Sequence, residues 1–431
     1  MSDDASQVLQ TNPAGEIGGY LDLLAEISQD FARSKDINKT LERSLQRIMS
    51  YLDAEAASVF LLESNDHELV CHVSVGSHNI TGVRLKFGEG IVSQSIVEDR
   101  CVIVMDTLNN PEFSSLVDQQ SGFKTKSILC APLSTKKERL GAIELINKQS
   151  KDGQFDERDR QTLQALASSA AMAINNARMT QALLDQERFQ RELELAAELQ
   201  ESLLPERRPS PFPIHAINRP ARMVSGDFFD YFELPDGRII FDVGDVSGKG
   251  INAALLMAKT ASLFRCLGKT VHEPGRLLST INQEICETAT RGMFVTMVAG
   301  VFDPRRRKLI LSNAGHEPPL LRTSSGEYLT FPAQAPPVGI APDMFVDGLF
   351  PEIEISLGDG TLHIFTDGVT EGLVDNGQLG LEGLKCVLDG IAERPIHDRL
   401  DHIVNIFQQS EAPLHDDLTI MMIENQNKER C

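Results

Sequence analysis

The feature that most constrains this chain is the stretch from Asp156 to about Leu204, which reads as one long helix. Leu204-Pro205 stops it, because proline cannot continue a helix. The helix runs on past the region before it, so folded structure is expected on both sides. At 431 residues, against roughly 150 per domain, two or three domains are expected. Starting from Met179, a heptad seam runs Met179, Ala182, Gln186, Phe189, Leu193, Ala196, Gln200, Leu203. Apolar residues broken by two glutamines predict a weak coiled coil and hence a homodimer, the alternative being a helix that packs on its own domains.

Before the helix, apolar spacing is helical from Tyr20 to about Leu52 and then changes to a strand pattern. Ala57–Leu62, Glu68–Val75, Val102–Val104, Ser127–Leu133 and Gly141–Ile146 are strand candidates, with Ser64-Asn65-Asp66 as a hairpin turn. An antiparallel sheet flanked by helices is expected over 19–178, after a polar, mobile tail at 1–18. The linker helix is assigned to 179–205 and a second domain to 206–427. That domain opens on a proline-rich joint, Pro205 to Pro213. Its predicted strands are Arg238–Val243, Phe294–Val301, Lys308–Ser312, Gly360–Phe365 and Leu418–Ile423, and its strongest helices Ile251–Leu267 and Pro274–Thr288. The expected fold class is α+β and multi-domain, with the second domain a sandwich of sheets between helices.

Composition excludes several roles. A net charge of −21 repels polyanions, so no nucleic acid partner is expected. The basic run Arg305-Arg306-Arg307-Lys308 is read as a hairpin turn. Seven cysteines with no CxxC pair argue against disulfides and thiolate zinc and for a reducing compartment. The polar, acidic N-terminus lacks secretory features, and no run of about 18 apolar residues could span a membrane. Cytoplasmic localisation is expected.

Four aspartates of the second domain share one context, the edge of a strand beside glycine or a small polar residue. They are Asp227 in SGDFFD, Asp245 in VGDVSGKG, Asp367 in FTDGVTE and Asp416 in HDDLTIMMI. Carboxylates gathered at one rim repel one another unless cations lie between them, and Mg²⁺ and Mn²⁺ take oxygen ligands of this kind. Any one Asp-Gly alone reads as a turn, and the pattern by itself names no reaction. No GxxxxGK[ST], GxSxG or HExxH motif is present. His316 in NAGHEPP is read as structural.

The ordered set SGDFFD, GDVSGKG, MFVTM, NAGHEPPLL, FTDGVTEG and DDLTIMM resembles the bacterial PPM-type serine/threonine phosphatases that control sporulation and stress-response sigma factors. The likeness spans about Glu194–Glu424. AAELQESLLPE is similar to that family's regulatory helix. The resemblance implies an α/β/β/α sandwich and two Mn²⁺ or Mg²⁺ ions. Asp245 would bridge the ions, Asp367 and Asp416 would each help hold one, and Asp227 with the Val246 carbonyl would complete the set. Asp227 and Asp245 would carry catalysis. Ser225 and Lys249 depart from the usual Gly and His, at positions that supply no ligand. Asp417 is assigned to bonding backbone. The implied reaction is direct hydrolysis of a phosphoprotein, an anti-sigma-factor antagonist.

The first domain resembles a GAF domain over about 22–178. The likeness rests on FGEGI at 87–91, Asp106, Pro111 and Phe113, SILCAPL at 127–133 and GAIELINK at 141–148. Asn147-Lys148, Phe155 and Asp159 resemble the NK…FxxxDE signature of cyclic-nucleotide-binding members, with Arg160 in place of Glu. The resemblance implies a small-molecule ligand, a cyclic nucleotide among the options, that regulates the second domain. The alternative to an enzyme is an inactive adaptor that binds partners through a phosphatase-like domain. A cyclic-nucleotide hydrolase ranks last, for want of the paired histidines such enzymes use.

Overall fold

The computed structural model describes residues 23, 25–27, 29–30, 37–63, 68–150, 152–209, 211–288, 292–342, 345, 348–374, 377–408 and 414–425. The expected tail at 1–18 and the turn at 64–66 lie outside them. Two compact units divide the chain, 1–187 and 188–431.

The first unit is built from α1 (Ile37–Tyr51), β1 (Ala54–Leu62), β2 (Glu68–Val75), β3 (Arg84–Lys86), α2 (Gly90–Glu98), β4 (Val102–Val104), α3 (Leu116–Ser121), β5 (Ile128–Ser134), β6 (Arg139–Lys148) and the start of α4 (Glu157–Glu201). Its six strands form one antiparallel sheet in the order β3-β2-β1-β6-β5-β4. Successive side chains of a strand point to opposite faces, and the burial follows that rule. Ile143 and Leu145 of β6 pack with Leu45, Ile48, Leu163 and Leu166, while Ala142 joins Phe60, Ile91 and Cys130 on the other side.

The NK…F…D residues act as internal ties. Asn147 sits at φ 57°. Its carboxamide accepts from the Lys126 amide at 2.7 Å and donates to Glu55 at 2.8 Å. Lys148 donates to Asp159 at 2.8 Å and to the Leu52 carbonyl at 2.9 Å.

The second unit continues with β7 (Ile214–Arg219), β8 (Phe228–Glu233), β9 (Ile239–Val246), α5 (Ile251–Leu267), α6 (Pro274–Thr288), β10 (Val295–Asp303), β11 (Lys308–Ala314), β12 (Leu320–Arg322), β13 (Tyr328–Thr330), β14 (Ile353–Ser356), β15 (Thr361–Phe365), α7 (Asp367–Thr370), β16 (Leu373–Val374), β17 (Gly377–Gln378), α8 (Gly380–Ile391), α9 (Ile396–Gln408) and β18 (Leu418–Glu424). Two five-stranded sheets, β14-β11-β10-β9-β8 and β13-β12-β15-β18-β7, enclose a core of Phe229, Phe241, Val243, Leu311, Ile364 and Met421. Helices α5 and α6 cover the outer face of the first sheet through Met257, Phe264, Leu278 and Ile281. Helices α8 and α9 cover the second through Leu384, Leu388, Ile403 and Phe407. The result is an α/β/β/α sandwich. The run 304–307 is the hairpin turn between β10 and β11, with Arg307 at φ 55°.

The eight seam positions of α4 do not all face outward. Met179 and Phe189 are exposed, at 57% and 54%, but Gln200 is buried at 8%. Its carboxamide is bonded within the second unit, to which this end of α4 belongs.

Candidate metal centre

Each of the four aspartates lies at a strand terminus, and the two sheets bring those termini to one end of the sandwich. Asp227 precedes β8 and Asp245 is near the end of β9, its neighbour in the first sheet. Asp367 follows β15 and Asp416 shortly precedes β18, its neighbour in the second.

Asp227 is buried and pinned from the opposite sheet. The hydroxyls of Thr366 and Thr419 each donate to its Oδ2 at 2.7 Å. Its carboxyl is in hydrogen-bond contact with Asp245. Burial, then the Asp245 charge, holds Asp227 well above the usual carboxylate range. Burial, then Asp367, pushes Asp245 up to about 7. Asp367 is raised by burial and next by Asp416. Each carboxylate thus feels the next, as expected where negative charge is crowded together. Glu317, raised by burial and then by Asp367 and Glu371, extends the crowd.

Asp417 points elsewhere. Its Oδ1 accepts from the Ala221 amide at 2.7 Å, and its Oδ2 from the Gly226 amide at 2.6 Å and the Ser225 hydroxyl at 3.0 Å. It therefore fastens the loop that leads into Asp227. From the other side, Gln200 Nε2 donates to the Ser225 carbonyl at 2.8 Å, and Gln200 Oε1 accepts from the Ser225 amide at 2.8 Å.

The chemistry of this donor set fits hard divalent cations. Gly226 adds a second indication. A Cβ there would stand 3.3 Å from the Val246 carbonyl oxygen and 3.8 Å from Asp245 Oδ1, so the missing side chain keeps the approach to both oxygens open. Lys249 supplies the nearest positive charge, its Nζ 2.7 Å from Asp416 Oδ2. As the side chains stand, no group of three or more Asp, Glu, His or Cys among the described residues closes around a single ion. Asp416 is turned to Lys249 and Asp227 Oδ2 to the two threonines. His316 lies apart from this set in function. It is buried, its Nδ1 is 2.9 Å from the Thr296 hydroxyl, and burial lowers its pKa to about 4, which keeps it neutral.

The first unit holds a cavity of about 190 Å³ lined by Phe60, Ile91, Phe113, Asp118, Ile128 and Glu144, among others. Glu144, in the middle of β6, lines this cavity together with Arg84, Lys86, Glu89 and Thr125 as well as the apolar residues. The Ser58 hydroxyl reaches it at 3.4 Å. Desolvation pushes its pKa up to about 7. Asp118 is already engaged by the Thr125 amide and hydroxyl, at 2.9 and 2.6 Å.

Comparison with known proteins follows the same division. Residues 235–426 match the family model for stage II sporulation protein E (SpoIIE), and residues 36–174 match the GAF domain model. The chain is similar to phosphoserine phosphatase RsbU of Bacillus subtilis (strain 168). They are 27% identical over 245 residues, which cover 55% of this chain and 71% of RsbU. It is also similar to phosphoserine phosphatase RsbP of the same organism, 30% identical over 190 residues, covering 42% of this chain but 45% of RsbP. Among solved structures, the SiaA-PP2C domain of Pseudomonas aeruginosa matches with TM-score 0.49 and 23% identity, over 56% of this chain and 98% of that domain. The chain carries a GAF domain followed by a SpoIIE domain, and is homologous to the RsbU and RsbP serine phosphatases.

Proposed function

We propose that the second domain hydrolyses phosphoserine or phosphothreonine on a phosphoprotein, using two Mn²⁺ or Mg²⁺ ions, under control of the GAF domain. The observation that carries this reading is the gathering of Asp227, Asp245, Asp367 and Asp416 at one end of the two sheets. Asp245 would help hold both ions. Asp367 and Asp416 would each help hold one, and Asp227 and the Val246 carbonyl would complete the set. When bound, such ions supply positive charge that lowers the pKa of water and offsets charge on a phosphoryl group. The chain's own residues set the geometry. Thr366 and Thr419 fix Asp227 Oδ2 and so hold its carboxyl in one orientation. Asp417 anchors the backbone of the preceding loop. Gly226 leaves the Val246 carbonyl accessible.

The family resemblance points to a phosphoserine on an anti-sigma-factor antagonist as substrate. The Glu144 carboxylate, met only by the Ser58 hydroxyl at the wall of this cavity, supports a regulatory ligand that offers it an N–H donor or a cation. The face of α4 bearing Met179 and Phe189 supports a homodimer. No helix among the described residues is long and apolar enough to cross a membrane. The six described cysteines are free, which suits a reducing cytoplasm.

The Lys249–Asp416 ion pair favours the adaptor as a second reading, because a protein cation already occupies one of the four carboxylates. One assay separates them: hydrolysis of a phosphoserine peptide in EDTA, Mg²⁺ and Mn²⁺ by wild type, Asp245→Asn and Asp367→Asn. Metal-dependent turnover lost in both variants supports the phosphatase. Absence of turnover under all conditions supports the adaptor.

A further inference from the structure

A cavity of about 670 Å³ opens in the second unit, at the end of the second sheet away from the aspartates. Strand β15 begins there at Thr361 and ends beside Asp367, and β18 begins beside Asp416 and ends there at Glu424. Cross-strand pairing sets Arg322, Thr361 and Glu424 side by side in one row, and Leu320, His363 and Met422 in the next. Leu320 and Met422 belong to the core under α8 and α9, so this face of the sheet looks towards those helices. The turn between them and the start of α9, with Arg394 and Arg399, form the facing wall.

His363 gives the cavity a chemical preference. It is 3% exposed. Its Nδ1 lies 3.2 Å from the Leu320 carbonyl oxygen. A carbonyl only accepts, so Nδ1 carries the proton and Nε2 the lone pair. Burial, reinforced by the Arg399 and Arg322 charges, lowers the pKa of the ring to about 4 despite the Leu320 bond, so it stays neutral. Nε2 has no hydrogen-bond partner among the described residues. It can therefore accept from a donor that enters the cavity. Three guanidinium groups surround the same space. Arg322 Nε donates to Asp389 at 2.8 Å. Arg399 donates to Glu424 at 2.8 Å and to the Arg394 carbonyl at 2.7 Å. Arg394 meets only the His402 ring among the described residues, at 3.2 Å. Each guanidinium has five N–H donors, so all three keep donors to offer. Two of the three wall carboxylates are already matched, Glu424 by Arg399 and the Thr361 hydroxyl, and Asp359 by Arg307. Glu393 is exposed.

We propose that this cavity binds a small phosphorylated molecule, or phosphate itself, through a phosphate group that still carries one proton. The phosphate O–H donates to His363 Nε2, and the other oxygens accept from Arg322, Arg394 and Arg399, the pairing that guanidinium groups make best. Sulfate is fully ionised near neutral pH and has no proton to give. Its oxygen would face the Nε2 lone pair, so the site discriminates against it. The volume falls within the roughly 300–1,000 Å³ of small-molecule sites, which leaves room for a substituent on the phosphate. The site lies apart from the aspartates and does not depend on their reading as a metal centre.

The test titrates the full chain by calorimetry at about pH 6, where a phosphate monoester is about half protonated. EDTA is present, so that no cation draws phosphate to the aspartates. The probes are inorganic phosphate, glycerol 3-phosphate and sulfate. The expected result is saturable binding of a phosphate compound, with sulfate at least tenfold weaker. Tighter binding of glycerol 3-phosphate identifies a phosphorylated metabolite as the occupant, and tighter binding of inorganic phosphate identifies the free ion. Arg322→Met keeps the stem, removes the charge and should weaken phosphate at least tenfold. His363→Leu should bring phosphate down to the level of sulfate. If that variant does not fold, Arg322→Met and the sulfate comparison still decide. Arg306→Ala, in the turn between β10 and β11, is the control and should bind as wild type. Absence of saturable binding by either phosphate compound overturns the proposal. So does sulfate that binds as well as phosphate, or binding that Arg322→Met leaves unchanged. An equal loss in Arg306→Ala also overturns it, because attraction to positive charge in general would then suffice.

Discussion

Asp242 stands directly across from Asp230 on the neighbouring strand of the first sheet, and both side chains are buried. Neither oxygen of Asp242 has a hydrogen-bond partner. The Arg265 guanidinium reaches Asp230 only. Burial, then the Asp230 charge, holds Asp242 well above the usual range, and burial pushes Asp230 up to about 6 despite Arg265. In the folded state the pair holds a proton that the unfolded chain releases near pH 4. Between those values the native state binds more protons, so stability falls as pH rises. Thermal unfolding should give a Tm that drops from about pH 4.5 towards pH 7 and above. Asp242→Asn should flatten the slope and raise stability at pH 8 by of order 1 kcal/mol or more. A wild-type Tm that climbs steadily over that range would contradict this.

Thr366→Val keeps the shape of the threonine and removes one of two hydroxyl donors to Asp227 Oδ2. Partners that orient metal ligands typically change affinity about 10–100-fold. Mn²⁺ affinity should fall by about tenfold, and the Thr366→Val/Thr419→Val double variant should lose more. Titration calorimetry reads this without relying on turnover.

Gly226→Ala places a methyl 3.3 Å from the Val246 carbonyl oxygen. That is tight, and the neighbour need yield only slightly, so the fold should survive with a Tm loss of a few degrees. Cation binding should suffer more than stability, because the methyl covers the carbonyl and Asp245. Gly368→Ala is the contrast. Its Cβ would fall 2.0 Å from the Asp417 carbonyl oxygen, and soluble expression should fail. Equal behaviour of the two variants in melting and in Mn²⁺ titration would refute the distinction.

Phe189→Glu places a charge on an exposed face of α4. If Met179, Phe189 and Leu203 line a two-chain seam, light scattering should show a dimer for wild type and a monomer for the variant. The variant should keep the circular dichroism of the folded chain.

The aspartates were legible because strand ends followed by Gly or small polar residues are local patterns. The long helix was legible for a similar reason, since its periodicity lies in neighbouring residues. The residues that orient the aspartates were not. Thr366 and Thr419 lie 139 and 192 positions from Asp227, and nothing near either threonine in sequence announces that contact. Gln200 was read as a polar break in a heptad, because a seam pattern does not report which turn another element covers. Helix α8 escaped notice because Gly380, Gly383 and Gly390 dilute its propensity. Strands β12, β13 and β14 were missed because they are only three or four residues long. Strand β8 was hidden inside a stretch recognised first for its aspartate.

The clasp between Gln200 and Ser225 is made to main-chain atoms alone. It therefore makes no demand of its own on the side chain at 225, whose hydroxyl is engaged separately by Asp417 and the Asp227 amide. A departure at 225 from what relatives carry can then coexist with an unaltered mechanical link, and the identity of the residue there says little about whether the helix end still grips the loop.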